Sequence, residues 1–198
     1  MKYLLCLVCL LIPSLSFAQL NTLGVYTDVT AGAPCLTHDT PGPHTLYVLV
    51  RISNGATGAR FRLEYSSAFT GTLLSSSSPW SNVTGDPSTG VTVMFDNACQ
   101  VGDFTVMTLN FMFIGGSPDC SWIRTAKHPL SPADGPEISN CLLQFVPAYW
   151  EGTHVTSGFG TNCPNDINYE EHTHFCRPWE PPIATEASTW GAVKALYR

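Results

Sequence analysis

Arg60-Phe61-Arg62-Leu63-Glu64-Tyr65 alternates charge and apolar bulk at every step. Successive side chains of an extended chain point to opposite faces, so Phe61, Leu63 and Tyr65 share one face and Arg60, Arg62 and Glu64 the other. Period two with one charged face predicts a half-buried antiparallel strand. The pattern recurs outward from this stretch. Leu46 to Ser53 places Leu46, Val48, Val50 and Ile52 together, and Gly90 to Phe95 does the same with Val91, Val93 and Phe95. Asp103 to Ile114 is longer, with Met107, Leu109, Phe111 and Phe113 inward, and is apolar enough to lie centrally. Glu137 to Val146 reads as one more strand, and Leu23 to Val29 supplies the first.

Turn-forming clusters separate these runs: Thr40-Pro41-Gly42-Pro43, Gly85-Asp86-Pro87 and Gly115-Gly116-Ser117-Pro118. Their Gly and Pro residues set backbone angles that strands do not use. Asn54-Gly55, between two alternating runs, reads as a hairpin. Ser75 to Ser78 reads as a short polar loop. Seven to nine short strands, with no helical periodicity from Gln19 to about Glu180, predict an all-β fold, an antiparallel β-sandwich.

Composition narrows the class further. Of 198 residues 44% are hydrophobic and only 12% charged, the reverse of a disordered chain. A net charge of −6 with 9 Lys+Arg excludes the electrostatic footprint of a nucleic-acid binder. The length suits one domain with a sizeable core.

The first eighteen residues specify a compartment. Met1-Lys2 is a short basic start, Tyr3 to Pro13 is almost wholly apolar, and Ser16-Phe17-Ala18 closes the stretch with small residues. This is the pattern of a secretory signal peptide cut after Ala18. A membrane anchor needs ~20 apolar residues, so no membrane span is expected after cleavage. Secretion or cell-surface exposure follows, and with it an oxidising environment. Six cysteines remain: Cys35, Cys99, Cys120, Cys141, Cys163 and Cys176. An even set outside the cytosol reads as three disulfides, among 15 pairings that sequence does not distinguish. The simplest assignment joins Cys120–Cys141 and Cys163–Cys176 and leaves Cys35–Cys99.

The domain plan is therefore a signal peptide over 1–18 and a sandwich over 19–180. Within the sandwich, 147–180 reads as an irregular segment stapled by disulfide. A Pro-rich linker and short helical tail fill 181–198. Ser188 can cap a helix from Thr189 to Tyr197, with Trp190, Val193, Leu196 and Tyr197 on one face. Lys194 and Arg198 suit the negative end of its dipole. So short a helix needs a docking surface: its own sandwich, another chain, or an export or anchoring machine.

That tail carries a resemblance. Thr189-Trp190-Gly191-Ala192-Val193-Lys194-Ala195-Leu196-Tyr197-Arg198 is similar to the ending shared by a group of secreted bacterial proteins of uncharacterised function. Their Gly-Val-Tyr-x-Asp strand matches Gly24 to Asp28, followed by Cys35; their Tyr-Val strand matches Tyr47-Val48, and their Cys-Gln boundary Cys99-Gln100. The resemblance implies a cohesin-like or immunoglobulin-like sandwich and implies no activity.

Candidate sites are sparse. His172, His174 and Cys176 share a face if extended, with Glu170 and Glu171 beside them, a zinc-like string. In a secreted chain Cys176 serves a disulfide first, so no metal site and no cofactor is expected. Calcium through Asp96-Asn97 near Asp103, or through Asp166, lacks a dense Asp-x-Asp-x-Asp-Gly loop. The chain has no Gly-x-Ser-x-Gly elbow, no His-Glu-x-x-His helix and no phosphate loop, so it is read as non-enzymatic. Asn82-Val83-Thr84 matches a glycosylation sequon. Trp80, Trp122, Trp150 and Trp179 could contact sugar, since flat aromatic faces suit sugar rings; as large aromatics they serve equally to fill a core. The expected function is an extracellular structural, adhesion or docking role with a protein or polysaccharide partner. The alternative is a carbohydrate-binding module.

Overall fold

The computed structural model describes residues 21–30, 36–96, 99–118, 121–156 and 173–175. The signal peptide, Trp179 and the tail with Trp190, Val193, Leu196 and Tyr197 lie outside the described residues, as do Cys35, Cys120, Cys163 and Cys176. The fold is an all-β sandwich of mainly antiparallel strands: β1 (Thr22–Tyr26), β2 (Leu36–His38), β3 (Gly42–Tyr65), β4 (Gly71–Ser77), β5 (Asn82–Asp86), β6 (Gly90–Met94), β7 (Gln100–Phe113), β8 (Ser121–Ala126), β9 (Glu137–Asn140), β10 (Phe145–Pro147), β11 (Tyr149–Thr156) and β12 (Thr173–Phe175).

β3 organises the molecule. Its first half pairs with β7 and β1, and its second half with β6, β8 and β9. One strand of 24 residues thus serves both layers. The expected hairpin at Asn54-Gly55 is not formed. The chain runs on through register shifts at Val50/Ser53 and Ser53/Ala56, which bend it from one layer into the other. Gly55 sits there at φ 137°, a conformation L side chains rarely adopt.

Between the layers lies one core. Leu46, Val48, Val50, Leu109, Phe111 and Phe113 face Phe61, Leu63, Val91, Val93, Ile123 and Ile138, all essentially removed from water. Burying each such side chain contributes roughly 1.5–3 kcal/mol. The expected inward sets on Arg60–Tyr65, Gly90–Phe95 and Asp103–Ile114 are the ones observed, with Tyr65 only partly covered. Aromatic side chains gather at two places. Tyr65, Phe69, Phe111 and Phe113 pack edge to face or stacked, and Trp80 packs on Phe95 at 4.9 Å.

Three further expectations are corrected. Glu137 to Val146 is a hairpin, because Asn140 Oδ1 accepts the backbone N–H groups of Leu142 and Gln144 and folds the chain back. Ser75, Ser76 and Ser77 belong to strand β4, zipped to β7. Residues 149–156, expected to be irregular, form β11, which takes β8 antiparallel and β1, β2 and β12 parallel.

The cysteine assignment changes too. Cys99 and Cys141 form a disulfide across 42 residues, with Cα atoms 5.5 Å apart. This overturns both Cys35–Cys99 and Cys120–Cys141. Neighbour pairing failed because β9 lies beside the bend of β3, opposite the start of β7: Ala56 is in register with both Gln100 and Asn140.

Candidate functional site

Of the tryptophans, the fold packs one partly against the core and brings two others together. Trp80 packs against the core, and its indole N–H donates to the Thr105 carbonyl at 2.9 Å. It is partly buried, packed against the main core. Trp122 comes from β8 and Trp150 from β11. The Arg124 guanidinium lies between them, 4.4 Å from the Trp122 ring and 4.2 Å from the Trp150 ring. Both indoles are half-buried.

The local reason is strand geometry. Trp122 and Arg124 are two residues apart on β8 and so share a face. β11 runs alongside, with His154 in register with Trp122. On the other flank Glu64 of β3 is in register with Arg124. Its Oε2 accepts from Arg124 Nε at 3.1 Å and from Nη2 at 2.8 Å, while its Oε1 accepts from Arg62. Burial raises the Glu64 carboxyl, but the hydrogen bonds and charges of Arg124 and Arg62 outweigh it, holding it below the usual range. Arg124 is thereby fixed in plane against two aromatic faces. Cation–π contacts of this kind contribute about 0.5–2 kcal/mol each. The result is a pre-ordered aromatic and cationic surface.

The sequence singled out Trp122 and Trp150 but not Arg124, Arg62 or Glu64. The available signal was Trp122-x-Arg124, an aromatic and a cation one pleat apart.

The other candidates are dispersed. Asp96 Oδ1 accepts from the Ser81 hydroxyl at 2.6 Å, and Asp103 pairs with Arg51 at 3.6 Å. Among the described residues no group of three His, Cys, Asp or Glu side chains could hold a metal ion. Asn97, Asp166, Glu170, Glu171, His172 and Cys176 fall outside them, and for His174 only the backbone register opposite Glu151 is described. Asn82 and Thr84 of the sequon are exposed on β5, an edge strand.

One buried acid stands apart from this surface. Glu151 of β11 is in register with Gly24 of β1, and its Oε2 has no hydrogen-bond partner. Burial pushes its carboxyl up to about 7. A carboxyl raised on folding stabilises the native state most below its unfolded value and loses that contribution as pH rises. Stability should therefore fall between about pH 4.5 and pH 7, by about 3 kcal/mol for a shift of this size. Glu151→Gln should flatten that limb and raise the melting temperature at pH 8. Urea unfolding at pH 5 and pH 8 checks it, and equal slopes in the two proteins would count against the assignment.

No family model matches the chain, and no curated protein matches it. Among solved structures the chain is similar to cohesins. One is a cohesin module from a family 33 glycoside hydrolase of Clostridium perfringens, at 7% identity and a TM-score of 0.48, over 70% of this chain and 98% of that one. Another is a non-cellulosomal cohesin from the archaeon Archaeoglobus fulgidus, at 10% identity and a TM-score of 0.45, over 69% of this chain and 91% of that one. A third is a type II cohesin domain from the cellulosome of Acetivibrio cellulolyticus, at 11% identity and a TM-score of 0.44, over 68% and 90% respectively.

Proposed function

We propose that this chain is a secreted, non-enzymatic β-sandwich that works outside the cell as a structural, adhesion or docking module. Its contact surface is the face built from Trp122, Arg124 and Trp150, and its partner is a protein. The observation that carries the reading is the convergence of two indoles on one guanidinium that Glu64 holds in place. Trp and Arg are the residues that most often dominate binding energy at protein interfaces. A surface ordered before contact loses little side-chain entropy on binding. The secretory reading of residues 1–18 supplies the location.

Polysaccharide binding is the second reading, and the same two indoles favour it. It starts from a narrower base than four separate tryptophans, because Trp80 packs partly against the core and Arg124 already lies over one side of the Trp122 and Trp150 rings.

Tagged protein added to cells of the producing strain should bind saturably. Trp122→Ala/Trp150→Ala should bind at least tenfold more weakly, a loss of about 1.4 kcal/mol or more, and still melt cooperatively. Protease treatment of the cells should abolish binding of the wild-type chain. Binding that survives protease and yields to soluble glycans would move the assignment to polysaccharide. Equal binding by the double variant would remove this surface from the function.

A further inference from the structure

The first half of β3, β7 and β4 lie side by side, and residues 40–50, 71–77 and 104–114 include no Asp, Glu, Lys or Arg. Residues directly opposite each other in an antiparallel pair share a face, so the outer face of this layer is built in rows. Thr45 is in register with Asn110, and Asn110 with Ser75. One pleat further on, Tyr47 is in register with Thr108, and Thr108 with Ser77. The residues between them, Leu46, Val48 and Leu109, alternate to the other side and are buried in the main core. His44 falls on that side as well and stacks on the Phe113 ring at 4.1 Å. Thr45, Ser75 and Ser77 are exposed, and Tyr47, Thr108 and Asn110 are half-buried. The two rows are therefore open to water and consist of hydroxyls, one amide and one phenol ring.

We propose that this face binds a neutral polysaccharide. Three features select that ligand. First, the polar side chains form a fixed array with capacity left over. Thr45 Oγ1 donates to Asn110 Oδ1 at 3.1 Å, and Asn110 Nδ2 donates to Ser75 Oγ at 3.1 Å. An amide has two N–H donors and two acceptor lone pairs, so this chain occupies half of Asn110. Its second N–H and second lone pair remain, the Ser75 hydroxyl still donates, and the Thr45 hydroxyl still accepts. A sugar hydroxyl is donor and acceptor at once and fits such an array. Second, the Tyr47 ring packs against Tyr26 and Leu49, which holds it in place one row away. Flat aromatic rings suit the apolar faces of sugar rings. Rows two residues apart are about 7 Å from each other, so a sugar ring on Tyr47 brings its neighbour in the polymer over Asn110. Side chains ordered before contact lose little entropy on binding. Third, the missing charge excludes the alternatives. A uronate, a sulfate or an acidic peptide would give up hydration and meet no cation in these rows. An apolar partner would leave the hydroxyls and the amide unpaired. The inference stands independently of the Trp122–Arg124–Trp150 surface, which is carried by β8 and β11.

Affinity electrophoresis of the mature chain tests it, in native gels cast with hydroxyethylcellulose, glucomannan, xylan or dextran, and with polygalacturonate as the charged comparison. Each protein is read against its own mobility in a polymer-free gel. At least one neutral polymer should retard the wild-type chain, and polygalacturonate should not. Thr45→Glu/Ser75→Glu changes two exposed positions, so it should melt close to wild type and bind that polymer at least tenfold more weakly. Tyr47→Ala should weaken binding as much, whereas Tyr47→Phe should keep it, because the ring face is what the residue supplies. Trp122→Ala/Trp150→Ala should be retarded as the wild type is. Absence of retardation by every neutral polymer would overturn the proposal. So would equal retardation of Thr45→Glu/Ser75→Glu, and so would loss of retardation in the tryptophan pair instead, which would place the sugar on the other surface.

Discussion

Arg60→Ala should lower stability by about 4–5 kcal/mol, and Glu137→Ala by about 3 kcal/mol, the range expected when one partner of a buried ion pair is removed. The two residues are in register across β3 and β9, and Arg60 Nε donates to Glu137 Oε2. Their surroundings are unequal. The Glu137 side chain is 2% exposed and the Arg60 side chain 17%. Removing Arg60 therefore strands a carboxylate that water does not reach, and it strips the cation from the Phe145 ring 4.2 Å away. Removing Glu137 leaves a guanidinium that can still find some water. His128, on the neighbouring loop, feels the same pair: burial lowers its pKa first, the Arg60 charge lowers it further, and Glu137 opposes both. Arg60→Met/Glu137→Leu should recover most of the loss, since the desolvation penalty leaves with both charges. Urea unfolding of the four proteins decides the matter. At roughly 2–4 °C per kcal/mol for a chain of this size, Arg60→Ala should melt about 10–15 °C lower. A loss no larger than that of Glu137→Ala would mean that burial of the carboxylate is not what sets the cost.

The same pair shows where sequence periodicity is informative. Arg60–Tyr65 was readable because that stretch of β3 has one covered and one polar face. Leu46-Tyr47-Val48-Leu49-Val50 is apolar at every position, so alternation marks Leu46, Val48 and Val50 and misses Leu49. A continuous run of this kind belongs to a strand covered on both sides, and here Leu49 packs with Tyr26 and Tyr47 in a small cluster separate from the main core. β8 and β11 fail for the opposite cause. Their inward positions include Thr125 and Thr153, fully buried, whose hydroxyls donate to the Leu23 and Val25 carbonyls at 2.6 and 2.7 Å. Polar side chains satisfied inside a core break the binary pattern that signals a strand. The candidate surface inherits this gap. Two of its tryptophans could be named from sequence, but only the β8–β11 and β3–β8 registers bring Trp122, Trp150, Arg124 and Glu64 together.

Gly55→Ala should cost about as much as the disulfide it lies under, and the two losses should not add. Sequence read Asn54-Gly55 as a hairpin because φ > 0 favours glycine in such turns. The glycine is needed for the same backbone reason, at φ 137°, but the purpose is a crossing. A Cβ at Gly55 would collide with Cys141 Sγ and lie 2.6 Å from Cys99 Sγ, so the bend of β3 passes directly beneath the bridge. The Cys99–Cys141 link closes a separation of 42 residues, and by the chain-entropy relation its loss costs about 4 kcal/mol. Alanine at 55 either displaces the bridge or shifts the bend that hands β3 from one layer to the other. It adds roughly 1–3 kcal/mol of backbone strain in any case. Cys99→Ser/Cys141→Ser should thus be destabilised by about 4 kcal/mol. Gly55→Ala alone should lose a similar amount. The triple variant should fall only about 1–3 kcal/mol below the cysteine pair, because serine hydroxyls are smaller and free to turn away. Equilibrium unfolding of the four proteins measures the coupling. Fully additive losses would show that the Gly55 position is set by φ alone, with no contribution from the bridge above it.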